Sequence, residues 1–345
     1  MSHYDVIIIG AGPGGLACAR VTAAHGLKTL VLERKETLGK KVCAGGITWN
    51  GLQKKVPVDI SERQFCKQHI FTRWQSTWVS APMPIIATVN REKLGREMAK
   101  EALQAGAEIR LGCQVTAVQQ NSIQCMARKS GPADHFSCTY LVGADGSSSL
   151  VRRSLGLPVA AAGIGITYQL PGDYPEMEWH LDSSLFANGY AWVFPHRDSA
   201  SIGAYVDARR MKASQLKANL VHWGSKRGYS LMQHKASAEF INFDFRGWRF
   251  ADNTFLIGDA AGLASGLTGE GIYPAIVSGE TVGRYIADPQ VSIADLQNLI
   301  RNHRMHAKMV SVTGKNTILA TLISELIAFS LKKKLLDFSV VEMAR

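Results

Sequence analysis

A chain of 345 residues with 46% apolar and 19% charged residues has the composition of a globular protein with a sizeable core, and its length predicts two subdomains. The formal charge of +11 predicts an anionic partner, such as ligand phosphates or a membrane surface. We expect no nucleic acid partner, because Lys and Arg are spread along the chain without an aromatic RNA-binding motif or a helix-turn-helix pattern.

The cysteines and histidines of the chain carry no metal-binding signature. No CxxC spacing is present, and the first strand starts near Tyr4 without a preceding positive segment or cleavage site. We therefore expect a reducing, cytoplasmic location with free thiols, and no metal site. His303 and His306 lack acidic partners in the sequence and are expected at the surface. The thiols concerned are Cys18, Cys43, Cys66, Cys113, Cys125 and Cys138.

The first 33 residues predict a strand, glycine turn, helix and strand. Residues 5–10 form a continuous apolar run, which is typical of a strand buried on both faces. An alanine-rich helix over 16–25 and a second strand over 28–33 follow. The two strands should lie parallel with a right-handed crossover.

The turn of this unit carries a dinucleotide-binding fingerprint, Gly10-Ala11-Gly12-Pro13-Gly14-Gly15. Glycines permit the tight turn, let the backbone approach a pyrophosphate and allow close helix packing, and the helix N-terminal amides face the phosphates. Glu33, about twenty residues further on, is placed to accept hydrogen bonds from a ribose, with Arg34 beside it. The fingerprint alone does not separate FAD from NAD.

The remaining sequence divides into segments with different hydrophobic patterns. We predict a discontinuous cofactor domain over residues 1–48, 85–156 and 249–288, with a helical segment over 289–345. Residues 49–84 and 157–248 have scattered tryptophans and alternating runs, and they predict an inserted antiparallel sheet that covers the cofactor. Within the cofactor domain, the patterns predict a helix over 91–105, strands over 115–119, 122–128, 136–142 and 253–258, and a helix ending near 286.

The longest apolar tract, residues 317–331, is too short to span a bilayer and contains Glu325. Its apolar residues have helical spacing, and Lys332, Lys333 and Lys334 follow. Two interpretations remain open at this stage. The helix either lies on an anionic membrane surface, or packs on the protein with a solvated basic end.

Two segments carry a family resemblance. Residues 141–152 and 255–262 resemble the DG and GD motifs of the p-hydroxybenzoate hydroxylase-like flavoproteins, which include aromatic hydroxylases, halogenases and geranylgeranyl reductases. The resemblance implies FAD as cofactor and an α/β fold with a Rossmann-like FAD-binding domain of the glutathione reductase and p-hydroxybenzoate hydroxylase type. It also implies that Arg91, Val115 and Asp259 contact FAD. For Asp145 and Arg152 a purely structural role is the alternative to cofactor binding: the two side chains would pair with each other and cap a turn.

Three further stretches narrow the resemblance. Residues 41–47, 189–195 and 269–279 look like the geranylgeranyl reductase family, which reduces chlorophyll and archaeal lipid side chains. This chain departs from the family pattern because Ala44 follows the cysteine directly, and because it is shorter than most members. The resemblance implies flavin contacts by Cys43, Ala44, Gly46, Gly271 and Ile272, and a substrate pocket walled by Tyr190, Trp192 and Phe194.

The resemblance implies an FAD-dependent reductase that saturates carbon-carbon double bonds of an isoprenoid chain on a lipid or diphosphate carrier. Cys43 is expected to donate the proton or to tune the flavin, with Lys40 and Lys41 lowering its thiol pKa, or it is a small buried residue. Only one dinucleotide fingerprint is present, so electrons come from a transient NADPH, a ferredoxin or a quinol.

Two other functions remain open from the sequence. One is a monooxygenase or halogenase that uses the same FAD-binding segments. Halogenases carry WxWxIP where this chain has Tyr190-Ala191-Trp192-Val193-Phe194-Pro195, which argues against a halogenase. The other is a flavoprotein that binds a polyprenyl lipid without catalysis. The products formed with reduced flavin distinguish all three.

Overall fold

The computed structural model describes residues 2–39, 43–56, 58–119, 122–127, 134–251 and 253–344. Lys40 and Lys41 lie outside these residues. The strands, in chain order, are β1 (Ser2–Ile9), β2 (Thr29–Leu32), β3 (Gly46–Thr48), β4 (Ser61–Phe65), β5 (Lys67–Thr72), β6 (Ser76–Ser80), β7 (Ile86–Val89), β8 (Glu108–Arg110), β9 (Cys113–Gln119), β10 (Ser122–Ala127), β11 (Asp134–Gly143), β12 (Ala162–Pro171), β13 (Glu178–Leu181), β14 (Tyr190–Pro195), β15 (Ser199–Asp207), β16 (Ser237–Asn242), β17 (Arg249–Phe250) and β18 (Thr254–Leu256).

The three longest helices of the described residues lie in the last quarter of the chain. Short 3-10 turns lie at Val58–Ile60, Leu231–Gln233 and Phe338–Val341. The α-helices are α1 (Pro13–Ala24), α2 (Trp49–Lys55), α3 (Arg91–Gln104), α4 (Leu150–Ser154), α5 (Ser183–Phe186), α6 (Ala213–Lys226), α7 (Gly258–Ala261), α8 (Ile272–Ala287), α9 (Ala294–Thr313) and α10 (Thr317–Lys332).

A largely parallel sheet forms the first layer, in the order β17-β18-β11-β1-β2-β8, and β9 and β10 join it through β11. β1 pairs in parallel with both β2 and β11, and β18 pairs in parallel with β11. Val6, Ile7 and Ile8 are fully buried, which explains the continuous apolar run of this strand. The predicted α/β fold with a Rossmann-like unit is confirmed.

The second sheet has the order β16-β12-β15-β14-β13-β5-β6, and a small sheet, β3-β7-β4, lies apart from it. Its neighbouring strands pair antiparallel, as predicted, with one exception. β5 and β13 pair in parallel. These strands are far apart in sequence and no hairpin joins them, so no turn requires them to be antiparallel.

Close packing of α1 on α8 holds the glycine turn in place. A Cβ on Gly14 would lie 2.9 Å from the Ala275 carbonyl oxygen, and a Cβ on Gly279 would collide with the backbone of Gly14. Only glycine permits this approach. The N-termini of both helices therefore lie against the same cavity, described below.

The histidines of α9 correct one prediction. His303 and His306 are 3% and 0% exposed, so their expected surface position is wrong. They share the buried face of α9 with Leu296, Leu299 and Val310. The helical period places all five on one stripe, and the stripe is covered by the protein.

The cysteines correct another prediction. Cys113 in β9 and Cys125 in β10 form a disulfide, with their Cα atoms 6.1 Å apart, so the expectation of free thiols is wrong for this pair. Strand pairing brings them together, whereas their separation in sequence resembles no redox or metal motif. Cys18, Cys43, Cys66 and Cys138 are not disulfide-bonded.

Candidate cofactor and substrate site

A cavity of about 860 Å³ is lined by residues of both large sheets. Nearly every site residue predicted from the sequence lines this cavity. Gly15 alone of that set lies behind the lining, where it packs against the backbone of Gly10. The predicted residues on the lining are Gly10, Gly12, Gly14, Glu33, Arg34, Cys43, Ala44, Gly46, Arg91, Val115, Tyr190, Trp192, Phe194, Asp259, Gly271 and Ile272.

The glycine turn presents backbone to the cavity. Gly10 has a φ of +105°, a conformation that favours glycine. A Cβ on Gly12 would meet no described atom within 4 Å, so the cavity is open at this point. The first amides of α1 follow directly. This end of the cavity can therefore hold an anionic group against a helix N-terminus.

The Glu33 carboxylate is held in place by the turn that it faces. Its Oε2 accepts the Ala11 amide at 2.8 Å, and its Oε1 accepts the Lys35 amide at 2.9 Å. Each oxygen keeps a further acceptor site, which suits the hydroxyls of a ribose. Arg34 also lines the cavity here.

Arg91, the first residue of α3, provides a test of whether a large anionic cofactor fits. Its Nε and Nη1 are buried without a hydrogen-bond partner among the described residues. Buried guanidinium donors left unpaired are costly, and they mark a place for an absent acceptor. The guanidinium lines the cavity together with the glycine turn and Glu33, so the donor set fits FAD.

Two cofactor segments, 85–156 and 249–288, meet the inserted sheet at Asp259. Its carboxylate accepts the Ser147 hydroxyl at 3.2 Å, and its carbonyl accepts the side-chain amide of Asn242 at 2.9 Å. The Asn242 backbone amide in turn donates to Ser147 at 3.1 Å. Ser147 and Asn242 were not predicted from the sequence. Ser147 lies inside the quoted DG segment, whereas Asn242 ends a strand and gives no signal of its own.

Asp145 and Arg152 do not pair with each other, so the pairing in that alternative is wrong, whereas capping by Asp145 is confirmed. The Asp145 carboxylate caps α4 by accepting the Leu150 amide at 2.6 Å, and burial raises its pKa. Arg152, only 1% exposed, pairs instead with Asp244 at 3.2 Å. It also donates to the carbonyls of Leu157, Pro158, Asp244 and Ala260.

The loop at Cys43 lies between the cofactor-binding residues described above and the aromatic side chains of β14. The Gly45 amide donates to the Cys43 Sγ at 3.3 Å, and a ring nitrogen of His196 lies 3.0 Å from the Ala44 carbonyl. Gly46 packs against Phe194 so closely that a Cβ would lie 2.6 Å from its ring. The loop is therefore held between the small sheet and β14.

Tyr190, Trp192 and Phe194 form an aromatic wall on one face of β14, because alternate residues of a strand point the same way. Trp179 completes the wall, with its ring 4.8 Å from Phe194 and 5.1 Å from Tyr190. The Tyr190 hydroxyl donates to the Thr268 carbonyl, and the Trp192 indole donates to Ser201. The polar tips are thus satisfied by protein, which leaves apolar ring surface for a ligand. The sequence did not indicate Trp179.

Glu270 is a candidate that the sequence analysis missed, although it lies inside the quoted stretch 269–279. Thr48 Oγ1 lies 3.5 Å from its Oε1, and the Met343 amide lies 3.3 Å from its Oε2. Burial raises the pKa of Glu270 to about 7, against the lowering effect of the Met343 amide. Cys43 and Glu270 both act on Tyr190, whose pKa is raised by burial and by these two groups. The cavity therefore holds a carboxyl that can give up a proton near neutral pH.

The end of the chain forms part of the same wall. Phe338 and Val341 line the cavity, and the Phe338 ring lies 6.3 Å from Trp179. Glu342 accepts the side-chain amide of Asn50 at 2.8 Å, and this fastens the segment to α2. An isolated Phe after a basic run carries no sequence signal, so these residues were not predicted.

His306 supports the loop that carries Glu270, and it predicts acid sensitivity. Its Nδ1 lies 2.8 Å from Ser265 Oγ, which accepts the amides of Leu267 and Thr268. Burial, and then the nearby His303, lowers the pKa of His306 to about 4. A histidine in an unfolded chain has a pKa of about 6.5, so folding favours the neutral form of His306. The stabilisation is complete above about pH 6.5 and is lost as the pH falls to about 4, by about 3 kcal/mol in all.

We expect the free energy of unfolding to fall by about 2 kcal/mol more between about pH 7.5 and pH 5 in the wild type than in a His306→Gln variant, which keeps a partner for Ser265. Urea titrations followed by tryptophan fluorescence measure both. Identical pH dependence of the two proteins would show that His306 is not the group responsible.

Comparison with known proteins agrees with this site. Residues 3–169 match the FAD binding domain family. A digeranylgeranylglycerophospholipid reductase from Methanocella arvoryzae is 28% identical over 323 residues, which cover 83% of this chain and 78% of the relative. A protein of the same name from Methanocaldococcus jannaschii is 25% identical over 313 residues, which cover 85% of this chain and 78% of the relative.

Solved structures share the fold. A geranylgeranyl bacteriochlorophyll reductase-like protein from Thermoplasma acidophilum superposes with a TM-score of 0.83 at 20% identity, over 100% of this chain and 96% of that one. A flavin-dependent brominase superposes with a TM-score of 0.70 at 17% identity, over 99% of this chain and 93% of that one. The chain is therefore an FAD-dependent oxidoreductase, and its predicted resemblance to the geranylgeranyl reductase family is confirmed.

Proposed function

We propose that this oxidoreductase saturates carbon-carbon double bonds in an isoprenoid chain attached to a lipid or diphosphate carrier. The observation that carries the proposal is the aromatic wall of Tyr190, Trp192, Phe194 and Trp179, which lines the same cavity as the cofactor cradle. Ring faces with satisfied polar tips suit a long apolar chain better than a polar substrate. The names of the relatives from Methanocella arvoryzae and Methanocaldococcus jannaschii support the same substrate class.

Each part of the cradle has a proposed role in holding FAD. The amides at Gly12 and the Arg91 guanidinium would bind its phosphates, and Glu33 its ribose. Bound and reduced FAD supplies a hydride. Arg34, Val115, Asp259, Gly271 and Ile272 are proposed as further cofactor contacts, together with the loop residues Cys43, Ala44 and Gly46.

Saturating an isolated alkene also requires a proton for the second carbon. Cys43 and Glu270 lie on the cavity lining and are two candidate proton donors. Burial raises the pKa of Glu270 to about 7, and a general acid works best when its pKa lies near the operating pH. We assign the proton to Glu270, with Cys43 as the competing donor and as the residue that shapes the loop beside the flavin.

The electron donor is proposed to act from outside the cavity. The sequence carries one dinucleotide fingerprint, and the proposed FAD would occupy it. A nicotinamide such as NADPH would then bind transiently, or a ferredoxin or quinol would deliver electrons. Anaerobic flavin bleaching with each donor in turn identifies which one acts.

Anaerobic product analysis tests the proposed function. The holoenzyme is reduced with dithionite, mixed with geranylgeranyl-bearing lipid in detergent, and its products are weighed by mass spectrometry. We expect a gain of two hydrogens for each bond reduced, with reoxidation of the flavin. A flavin that stays reduced until oxygen enters and then yields a hydroxylated or halogenated product would establish the monooxygenase or halogenase alternative. Inertness under both conditions would contradict catalysis on this substrate class.

The variant Cys43→Ser tests the competing donor. We expect alkene reduction by the pre-reduced variant to slow by about tenfold, because the loop changes while Glu270 still supplies the proton. Stopped-flow flavin absorbance measures the rate. A complete loss of product with intact flavin binding would assign the proton to Cys43.

A further inference from the structure

Helix α10 is packed with its apolar face outward. Its buried residues are small or polar: Ala320, Thr321, Glu325, Ala328 and Ser330. Its exposed residues include four large apolar side chains, with Ile318 74%, Leu322 52%, Leu326 64% and Phe329 46% exposed. The sequence left open whether this helix packs on the protein or lies on a membrane. One face of the helix packs on the protein, and the opposite face is exposed.

Polar contacts hold the helix in this orientation. The buried Glu325 accepts the Thr72 hydroxyl at 2.8 Å, the Trp74 amide at 2.9 Å and the Gln75 side-chain amide at 2.9 Å. Thr321 and Ser183 are hydrogen-bonded on the same side. Rotating the helix to bury its leucines would leave the Glu325 carboxylate and its donors without hydrogen-bond partners. The cost of losing these bonds fixes which face of the helix is exposed.

The exposed apolar surface extends beyond the helix. Trp74, in the β5–β6 turn beside Glu325, is 65% exposed, and Leu335, just after the helix, is 70% exposed. We call the whole surface the α10 ridge, made of Trp74, Ile318, Leu322, Leu326, Phe329 and Leu335. Several large apolar side chains exposed on and beside one helix mark an interaction site.

Charge selects the partner. Exposed lysines flank both ends of the ridge, Lys315 before α10 and Lys332 to Lys334 after it, on a chain of net charge +11. A second copy docked through the same ridge would bring like charges together. An anionic membrane surface would attract these lysines.

The length and the single apolar face of α10 determine how it would contact a membrane. None of the helices in the described part of the chain is long and apolar enough to cross a bilayer. A helix with one apolar face and basic ends instead lies in the headgroup region with that face buried. The chain leaves α10 through the lysines and reaches Phe338 and Val341, which line the cavity.

We propose that the α10 ridge docks on the surface of an anionic lipid bilayer and brings the cavity wall at Phe338 close to the membrane. The docking follows from the ridge and its lysines alone. Entry of an isoprenoid lipid from the bilayer into the cavity rests in addition on the proposed function.

Vesicle flotation of the holoenzyme tests the docking. We expect binding to phosphatidylglycerol-containing vesicles, little binding to pure phosphatidylcholine vesicles, and weakening as salt is raised. The double variant L322E/L326E should bind at least tenfold more weakly, and K332E/K333E/K334E should lose the preference for anionic lipid. The matched control is Met232→Glu, which places the same charge at an apolar residue that is 71% exposed and lies outside the ridge. It should bind like the wild type.

Flavin content and reduction of detergent-dispersed substrate are measured on every variant. L322E/L326E should keep both, which shows that it folds and that docking is separate from catalysis. Vesicle binding without any alkene reduction would remove the proposed function and leave the docking intact. Equal vesicle binding by wild type and L322E/L326E would overturn the docking. So would a dimer that this variant breaks, combined with no vesicle binding.

Discussion

Glu270→Gln is expected to slow alkene reduction by about 100-fold or more, within the usual range for loss of a general acid. Burial raises the pKa of Glu270 to about 7, so the wild-type carboxyl is protonated below neutral pH and loses its proton above it. The wild-type rate should therefore fall as the pH rises through about 7. The glutamine variant has no proton to lose there, and its residual rate should not show this fall. Single-turnover flavin oxidation across pH measures both effects.

Glu342→Gln is the matched control for this experiment. Burial also raises the pKa of Glu342, but its carboxylate bonds Asn50 and is absent from the described cavity lining. Its negative charge helps to raise the pKa of Glu270. The control should therefore keep the rate and shift its fall to lower pH. A Glu270→Gln variant that retains the wild-type pH profile would exclude Glu270 as the proton donor.

Asp244→Asn is expected to destabilise the protein by about 3 to 5 kcal/mol, the usual effect of removing one partner from a buried ion pair. Arg152 is 1% exposed, and the Asp244 carboxylate is its acidic partner at 3.2 Å. The carbonyls around the guanidinium satisfy its donors but cannot neutralise its charge. Since Arg152 also holds the Ala260 carbonyl next to Asp259, FAD affinity should fall as well.

Urea unfolding and flavin titration measure these two losses. Glu92→Gln serves as the control, because Glu92 pairs with Arg96 at 3.4 Å on the exposed face of α3. Removing an exposed pair of this kind should change stability by at most about 1 kcal/mol. Equal effects of the two substitutions would mean that the Arg152–Asp244 pair contributes no more than a surface pair.

The cofactor cradle was predictable because its rules are local. The glycine turn, the apolar strand before it and Glu33 after the next strand lie within a short stretch of sequence, and each residue type has a physical reason at its position. The segments around Asp145 and Asp259 were predictable only as resemblances. Their contacts with Ser147 and Asn242 arise from separate parts of the chain.

The α/β fold, the dinucleotide turn and the apolar period of α9 and α10 were predictable from neighbouring residues, since period and glycine spacing are local properties. Which face of each helix is covered depends on the tertiary structure. It buried His303 and His306 within an apolar stripe, turned Leu322 and Leu326 outward, and brought Glu270 against the Met343 amide. Burial, pairing and pKa depend on the atoms that long-range folding places beside a residue, and no local pattern specifies those atoms.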